Sequence, residues 1–131
     1  MQLPVARQGD PVQGVDTHTV VLPNGASSPM PLPFAGTLNG GLSDNVKIDG
    51  RFAATVGSTV DNTQKHLTTI PPGASLAMPA TDSGSVARGS SSVRVNGRFL
   101  ARSTDPVTTC DELRAGPTGL ITGGSSTVVA S

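Results

Sequence analysis

Val46-Lys47-Ile48-Asp49-Gly50-Arg51-Phe52-Ala53-Ala54 and Val93-Arg94-Val95-Asn96-Gly97-Arg98-Phe99-Leu100-Ala101 are two versions of one pattern, V-x-[IV]-[DN]-G-R-F-x-A, set 47 residues apart. Each is an alternating stretch around Asp-Gly or Asn-Gly. Those dipeptides supply the positive φ angles of a two-residue type I′ turn, so both segments predict a tight β-hairpin. A self-match of this kind asks for further copies. After the hairpin comes A-[RT]-x-x-[DS]. It reads Ala54-Thr55-Val56-Gly57-Ser58 in one copy and Ala101-Arg102-Ser103-Thr104-Asp105 in the next. At the start of the chain it is Ala6-Arg7-Gln8-Gly9-Asp10. The first copy lacks the leading strand of its hairpin. The missing half is at the other end, where Gly124-Ser125-Ser126-Thr127-Val128-Val129-Ala130 resembles Gly89-Ser90-Ser91-Ser92-Val93-Arg94-Val95. The sequence therefore predicts an all-β ring of three quasi-equivalent hairpin units, with motifs near 3–18, 43–66 and 89–110. Pairing of the N-terminal segment with the closing strand at 124–130 would complete the ring and remove exposed sheet edges.

Composition sets the limits. A chain of 131 residues is one domain, with no room for a second sizeable core. Sixteen Gly, eleven Pro and only three aromatic residues, all Phe, argue against helices and predict a thin apolar core. Nine basic residues balance nine acidic ones, so the chain has no electrostatic footprint for nucleic acid or an anionic membrane. The N-terminus, MQLPVARQGDPVQG, carries no apolar run of signal-peptide length, and no stretch reaches the length of a membrane span. Synthesis in the cytoplasm without a cleavable signal is the expectation. With one Cys there is no intramolecular disulfide, which leaves a metal or a partner surface as the aid to a thin core.

The candidate metal ligands sit in the repeats. His18 and His66, the only two His, each follow the [DS] residue of their copy by eight positions, and Cys110 follows Asp105 by five. The segments between repeats read as loops. Leu22 to Gly41, with four Pro between positions 23 and 33, predicts extended polyproline-like covering. Pro71 to Ser85 predicts a second loop anchored by Met78. Both could widen one face of the domain for docking. Arg7, Arg51, Arg98 and Arg102 recur at repeat positions and are expected to pair with Asp10, Asp105 or turn carbonyls.

These features resemble the PAAR-repeat family, named for proline-alanine-alanine-arginine. VARQGD (Val5–Asp10) resembles a variant of the naming motif. VKIDGRFAATVGS and VRVNGRFLARSTD resemble later copies, and PMPLPFAGTLNGGLSDNVKIDG resembles a subgroup associated with contractile injection machines. The resemblance covers most of the chain. It implies a small β-cone capping the trimeric needle of a type VI secretion system, a contractile phage tail or an extracellular injection particle. The implied partners are the trimeric spike protein, separate effector chains and, transiently, a target membrane. The implied location is the tip of the apparatus. Because the sequence ends at Ser131 just after the closing strand, an effector is expected on another chain.

Family members hold a metal, usually zinc, with three His and one Cys near the apex. Here the resemblance points to His18, His66 and Cys110, with zinc, or else iron, tying together three distant parts of the chain. A third His is missing, so the fourth ligand is open: Asp16, Asp111, Glu112, water or a backbone group. Three protein ligands plus water is the usual catalytic arrangement of zinc, which keeps a small zinc hydrolase as an alternative. Against it stands the absence of H-E-x-x-H and of an obvious general base; the missing G-x-S-x-G argues against a Ser-His-Asp triad, and the missing Walker lysine pattern beside Gly123-Gly124 against nucleotide binding. A metal-free β-repeat binding module is the other alternative. The expected role is structural, with no catalytic residues.

Overall fold

The computed structural model describes residues 2–113 and 116–131. In chain order the strands are β1 (Leu3–Pro4), β2 (Pro11–Val21), β3 (Ser27–Gly40), β4 (Lys47–Ile48), β5 (Arg51–Phe52) and β6 (Thr59–Asp61). A 3₁₀ turn, His66–Thr68, precedes β7 (Ser75–Leu76), β8 (Ser83–Val86), β9 (Arg94–Val95), β10 (Arg98–Phe99), β11 (Pro106–Thr108), β12 (Gly119–Ile121) and β13 (Val129–Ala130). The protein is all-β, as expected. Among the described residues no helix is long and apolar enough to cross a membrane.

At one end lie three short antiparallel pairs in a common register. β4–β5 pairs Lys47 with Phe52 across Asp49-Gly50, and β9–β10 pairs Arg94 with Phe99 across Asn96-Gly97. Asp49 and Gly50 have φ of 53° and 80°, Asn96 and Gly97 of 54° and 81°, the two positive values a type I′ turn demands. The third pair joins the chain ends: Leu3 opposes Ala130 and Pro4 opposes Val129. The expected pairing of N- and C-terminal segments is present.

The three units bond to one another in cyclic order. Ala6 N–H donates to Ala101 C=O at 2.9 Å, Ala101 to Ala54 at 2.9 Å and Ala54 to Ala6 at 3.1 Å. All three alanines are fully buried, because a larger side chain would meet its two counterparts here. The motif A-[RT]-x-x-[DS] has a local cause. Asp10 Oδ2 accepts the Arg7 N–H at 2.7 Å, Asp105 Oδ2 the Arg102 N–H at 2.7 Å, and Ser58 Oγ the Thr55 N–H at 2.9 Å. The last residue thus closes a turn over the backbone three positions back. Arg7 and Arg102 also pair with Asp10 and Asp105, at 3.1 and 2.9 Å, as expected. Arg51 approaches Asp10 only to 4.0 Å, and Arg98 makes no ion pair among the described residues. Gly123 and Gly124 form no cradle. A Cβ on them would lie 2.6 Å from Pro11 Cδ and 2.8 Å from Pro4 Cβ, so they are there for close packing.

Beyond this end, six strands close into a barrel in the order β12-β11-β8-β6-β3-β2, with β2 pairing back onto β12 and β7 added beside β2. The closing seam pairs Gly14 with Gly119. The barrel is filled by Val12, Phe34, Leu38, Val60, Val86, Val107 and Ile121, all at most 2% exposed. A barrel this narrow needs only small and medium side chains to fill it, which accounts for the valine-rich sequence.

Two loop expectations are corrected. Most of Leu22–Gly41 is β3, a 14-residue strand paired with β2 from Thr37 opposite Pro11 to Ser27 opposite Val21. Pro29, Pro31 and Pro33 fall at alternate positions, so their missing N–H groups share one edge. Ala35, of the same parity, points its N–H away from β2, to Asn62 Oδ1 at 3.1 Å. The prolines therefore leave the ladder with β2 intact and block the open edge instead. Within Pro71–Ser85, Met78 is 55% exposed and anchors nothing, while β7 and the start of β8 pair within the sheet.

Candidate metal centre

Alternation along β2 sends Val12, Asp16, His18 and Val20 to the barrel interior. Asp16 and His18 thus share a face near the end of the barrel away from the hairpins. His66 arrives from the first residue of the 3₁₀ turn, and Cys110 lies two residues beyond β11. The equal spacing from the [DS] residues therefore hides unlike local structures, an extended strand for His18 and a tight turn for His66. The barrel end, rather than a repeated backbone, brings them together.

One ligand atom from each of Asp16, His18, His66 and Cys110 lies within 4.8 Å of the other three. Asp16 Oδ2 is 2.8 Å from His66 Nε2 and 3.3 Å from Cys110 Sγ, which is 3.7 Å from His18 Nε2. Metal–ligand bonds of zinc type imply donor separations of about 3.3–3.7 Å around a tetrahedron, so these spacings fit a metal with small adjustments. The charge balance points the same way. Asp16 and His66 are both fully buried, and no Lys or Arg among the described residues pairs with Asp16. Buried Asp82 adds a second carboxylate, accepting the His66 N–H at 3.0 Å and the Asn62 amide at 3.2 Å. A divalent cation among these donors offsets a charge that is otherwise costly to bury. The cluster can hold a metal ion.

The surroundings fix the donors. Asp16 Oδ1 accepts hydrogen bonds from the Thr109 and Thr118 hydroxyls, the latter at 3.2 Å, which turns Oδ2 toward His66 and Cys110. The Asn62 amide sits 3.4 Å from His66 Nδ1. Outer partners of this kind hold a ligand's orientation. Burial, followed by the charge and hydrogen bond of Asp16, pushes the Cys110 thiol up to about 12. A metal must therefore displace its proton.

Cys110, His18 and Glu112 follow one another at 3.7 and 3.8 Å, an order that could suggest nucleophile, base and orienting carboxylate. The raised thiol pKa works against that chemistry, which needs a thiolate.

Of the three carboxylates open as fourth ligand, Asp16 joins the cluster and the other two do not. Asp111 accepts the Thr17 N–H. Glu112 accepts the Thr19 N–H at 2.9 Å and its hydroxyl at 2.8 Å, and these bonds hold its carboxyl below the usual range. Both cover the edge of β2 that no strand occupies. The signal for Asp16 lay in its parity with His18, two residues on along an alternating segment. A pocket of about 360 Å³ opens beside the centre, lined by His18, Met78, Pro79, Cys110, Asp111 and Glu112 among others. Neither a scan of the chain against protein-family models nor a search of curated proteins finds a match.

Proposed function

We propose that this chain is a metal-stabilised tip that caps the trimeric spike of a contractile injection machine, the role implied by its resemblance to PAAR-repeat proteins. The observation that carries the reading is the cyclic bonding of three hairpin units around Ala6, Ala54 and Ala101. It gives one chain an end with approximate threefold repetition, the shape needed to seat a monomer on a threefold axis. A separate apolar cluster lies at that end. Val5, Ala53, Leu100 and Ala130 are buried, while Val46, Val93, Val128, Ile48 and Val95 are only partly covered. These side chains recur at matching positions of the three units and would meet the spike.

The metal centre belongs to the opposite end. His18 is seven residues along β2 from Pro11, about 23 Å at the rise of a strand. In this reading, one metal fixes the narrow end, where few apolar side chains meet. The two imidazoles, thiolate and carboxylate suit zinc, with iron the second candidate. Four protein donors leave no position reserved for a substrate water, which supports a structural role over a hydrolytic one. The work of puncture comes from the contracting sheath, and separate effector chains travel with the tip.

The test is to mix the purified chain with the trimeric spike encoded beside it and to measure mass by light scattering after size exclusion. A complex of one tip per three spike chains is expected, weakened by Val129→Glu at the hairpin end and unaffected by Leu120→Glu on the barrel wall. Failure to form the complex, together with a hydrolytic activity lost on chelation, would overturn the proposal.

A further inference from the structure

The four residues of the metal centre differ in their access to solvent. Asp16, His18 and His66 are 0%, 3% and 0% exposed, whereas Cys110 is only half-buried. Cys110 lines the pocket of about 360 Å³, together with the exposed Met78, Pro79 and Thr81. A space of that volume admits small polar molecules. It gives solvent a route to the sulfur, while Asp16 and His66 stay sealed in the barrel end. Cys110 is also the only cysteine of the chain, so no internal disulfide can absorb its oxidation.

Resting on the metal reading above, we propose that this pocket makes the centre oxidant-responsive: hydrogen peroxide reaching Cys110 through it oxidises the sulfur, and the metal is released. In that step the Cys110 sulfur, a thiolate because the bound metal has displaced its proton, attacks one peroxide oxygen. The S–O bond forms, the O–O bond breaks and hydroxide leaves. Sulfur is oxidised by two electrons to the sulfenic acid and peroxide is reduced. The sulfenic acid is neutral and a weaker donor than the thiolate. Asp16 then remains as the single anionic ligand beside two imidazoles, and the metal loses the charge balance that favoured burial. Met78, 55% exposed at the same pocket, is the competing sulfur.

The experiment uses the full chain loaded with zinc, a chromophoric zinc chelator and millimolar hydrogen peroxide. Peptide mass analysis is run in parallel. One zinc per chain should be released at least about tenfold faster than without peroxide, in step with oxygen added at Cys110. Met78→Leu should release zinc equally fast, and Met78→Trp, which fills the pocket, should slow both release and oxidation. Cys110→His, which keeps four donors, should hold zinc against peroxide. Should that variant not fold, the match between Cys110 oxidation and zinc release in the unaltered chain decides. Zinc retained under peroxide, or release that tracks oxidation of Met78 instead, overturns this inference alone, whereas a chain that takes up no zinc beforehand overturns the metal reading as well.

Discussion

Asp16→Asn separates a metal ligand from an ordinary buried ion pair, because the two roles predict opposite dependence on metal. The substitution preserves shape. The new side-chain amide keeps an oxygen able to accept from His66 Nε2, which Asp16 now meets at 2.8 Å, and can still face the Thr109 and Thr118 hydroxyls. What the change removes is the negative charge. With metal present, that charge strengthens a direct bond. Its loss should weaken binding by about 2–4 kcal/mol, roughly 30- to 700-fold in the zinc dissociation constant. For a domain of this size the loaded protein should melt about 6–20 °C lower. With metal removed, a ligand Asp16 is a fully buried carboxylate with no Lys or Arg beside it and only His66 facing it, so the variant should melt within a few degrees of the unaltered chain, or above it. The assay is a chelator competition titration with thermal melts of loaded and stripped forms of both proteins. Equal losses in both forms, near the roughly 3–5 kcal/mol of a broken buried ion pair, would refute the reasoning and leave Asp16 a structural partner of His66.

Gly14→Ala should destabilise by about 3 kcal/mol or more, since its Cβ would lie 2.8 Å from both the Gly119 Cα and the Thr118 carbonyl in the closing seam. Gly50→Ala has open space around it but φ of +80°, so denaturant melts should show only about 1–2 kcal/mol. The Asp49 carboxyl is held below its usual value by hydrogen bonds from Ser125, then Thr127, with Arg7 adding to both. Its contribution is therefore complete above the ordinary aspartate value and is lost as pH falls through the lowered one. Asp49→Asn should lower stability at neutral pH and converge with the unaltered chain below about pH 4, which flattens the acid limb of a stability–pH profile. Finally, Leu3 opposes Ala130 as Arg51 opposes Ile48, so with Met1 removed Ser131 and Gln2 correspond to the turn residues Asp49 and Gly50. Joining them as Asp-Gly and opening the chain at Asn96-Gly97 should give a permutant that folds with unchanged circular dichroism; a chain that stays unfolded would count against the equivalence of the three units.

The hairpins were legible because their cause is local. Asp49-Gly50 and Asn96-Gly97 admit few backbone paths, and the flanking alternation fixes which side faces inward. The pairing of Leu3–Pro4 with Val129–Ala130 was legible through repetition, since one interrupted unit implies its other half. The strand from Ser27 to Gly40 was not. Pro29, Pro31 and Pro33 read as a polyproline loop until β2 lies on one side and open space on the other, and only the pairing tells which N–H groups can be spared.

The metal centre divides along the same line. The rarity of His18, His66 and Cys110, and their places in the repeats, marked them in the sequence as candidates. Which of Asp16, Asp111 and Glu112 joins them depends on where β2 turns its faces and on what covers its free edge. That is a matter of tertiary contact between residues about 90 positions apart, such as Asp16 with Cys110 and Thr19 with Glu112. Sequence by itself determined the turns, the repeated units and the three scarce ligands, because backbone preference and side-chain chemistry are properties of the residues. Closure of the six-stranded barrel, the proline-guarded edge and the choice of Asp16 were decided only by the tertiary structure, because burial and pairing exist only between segments.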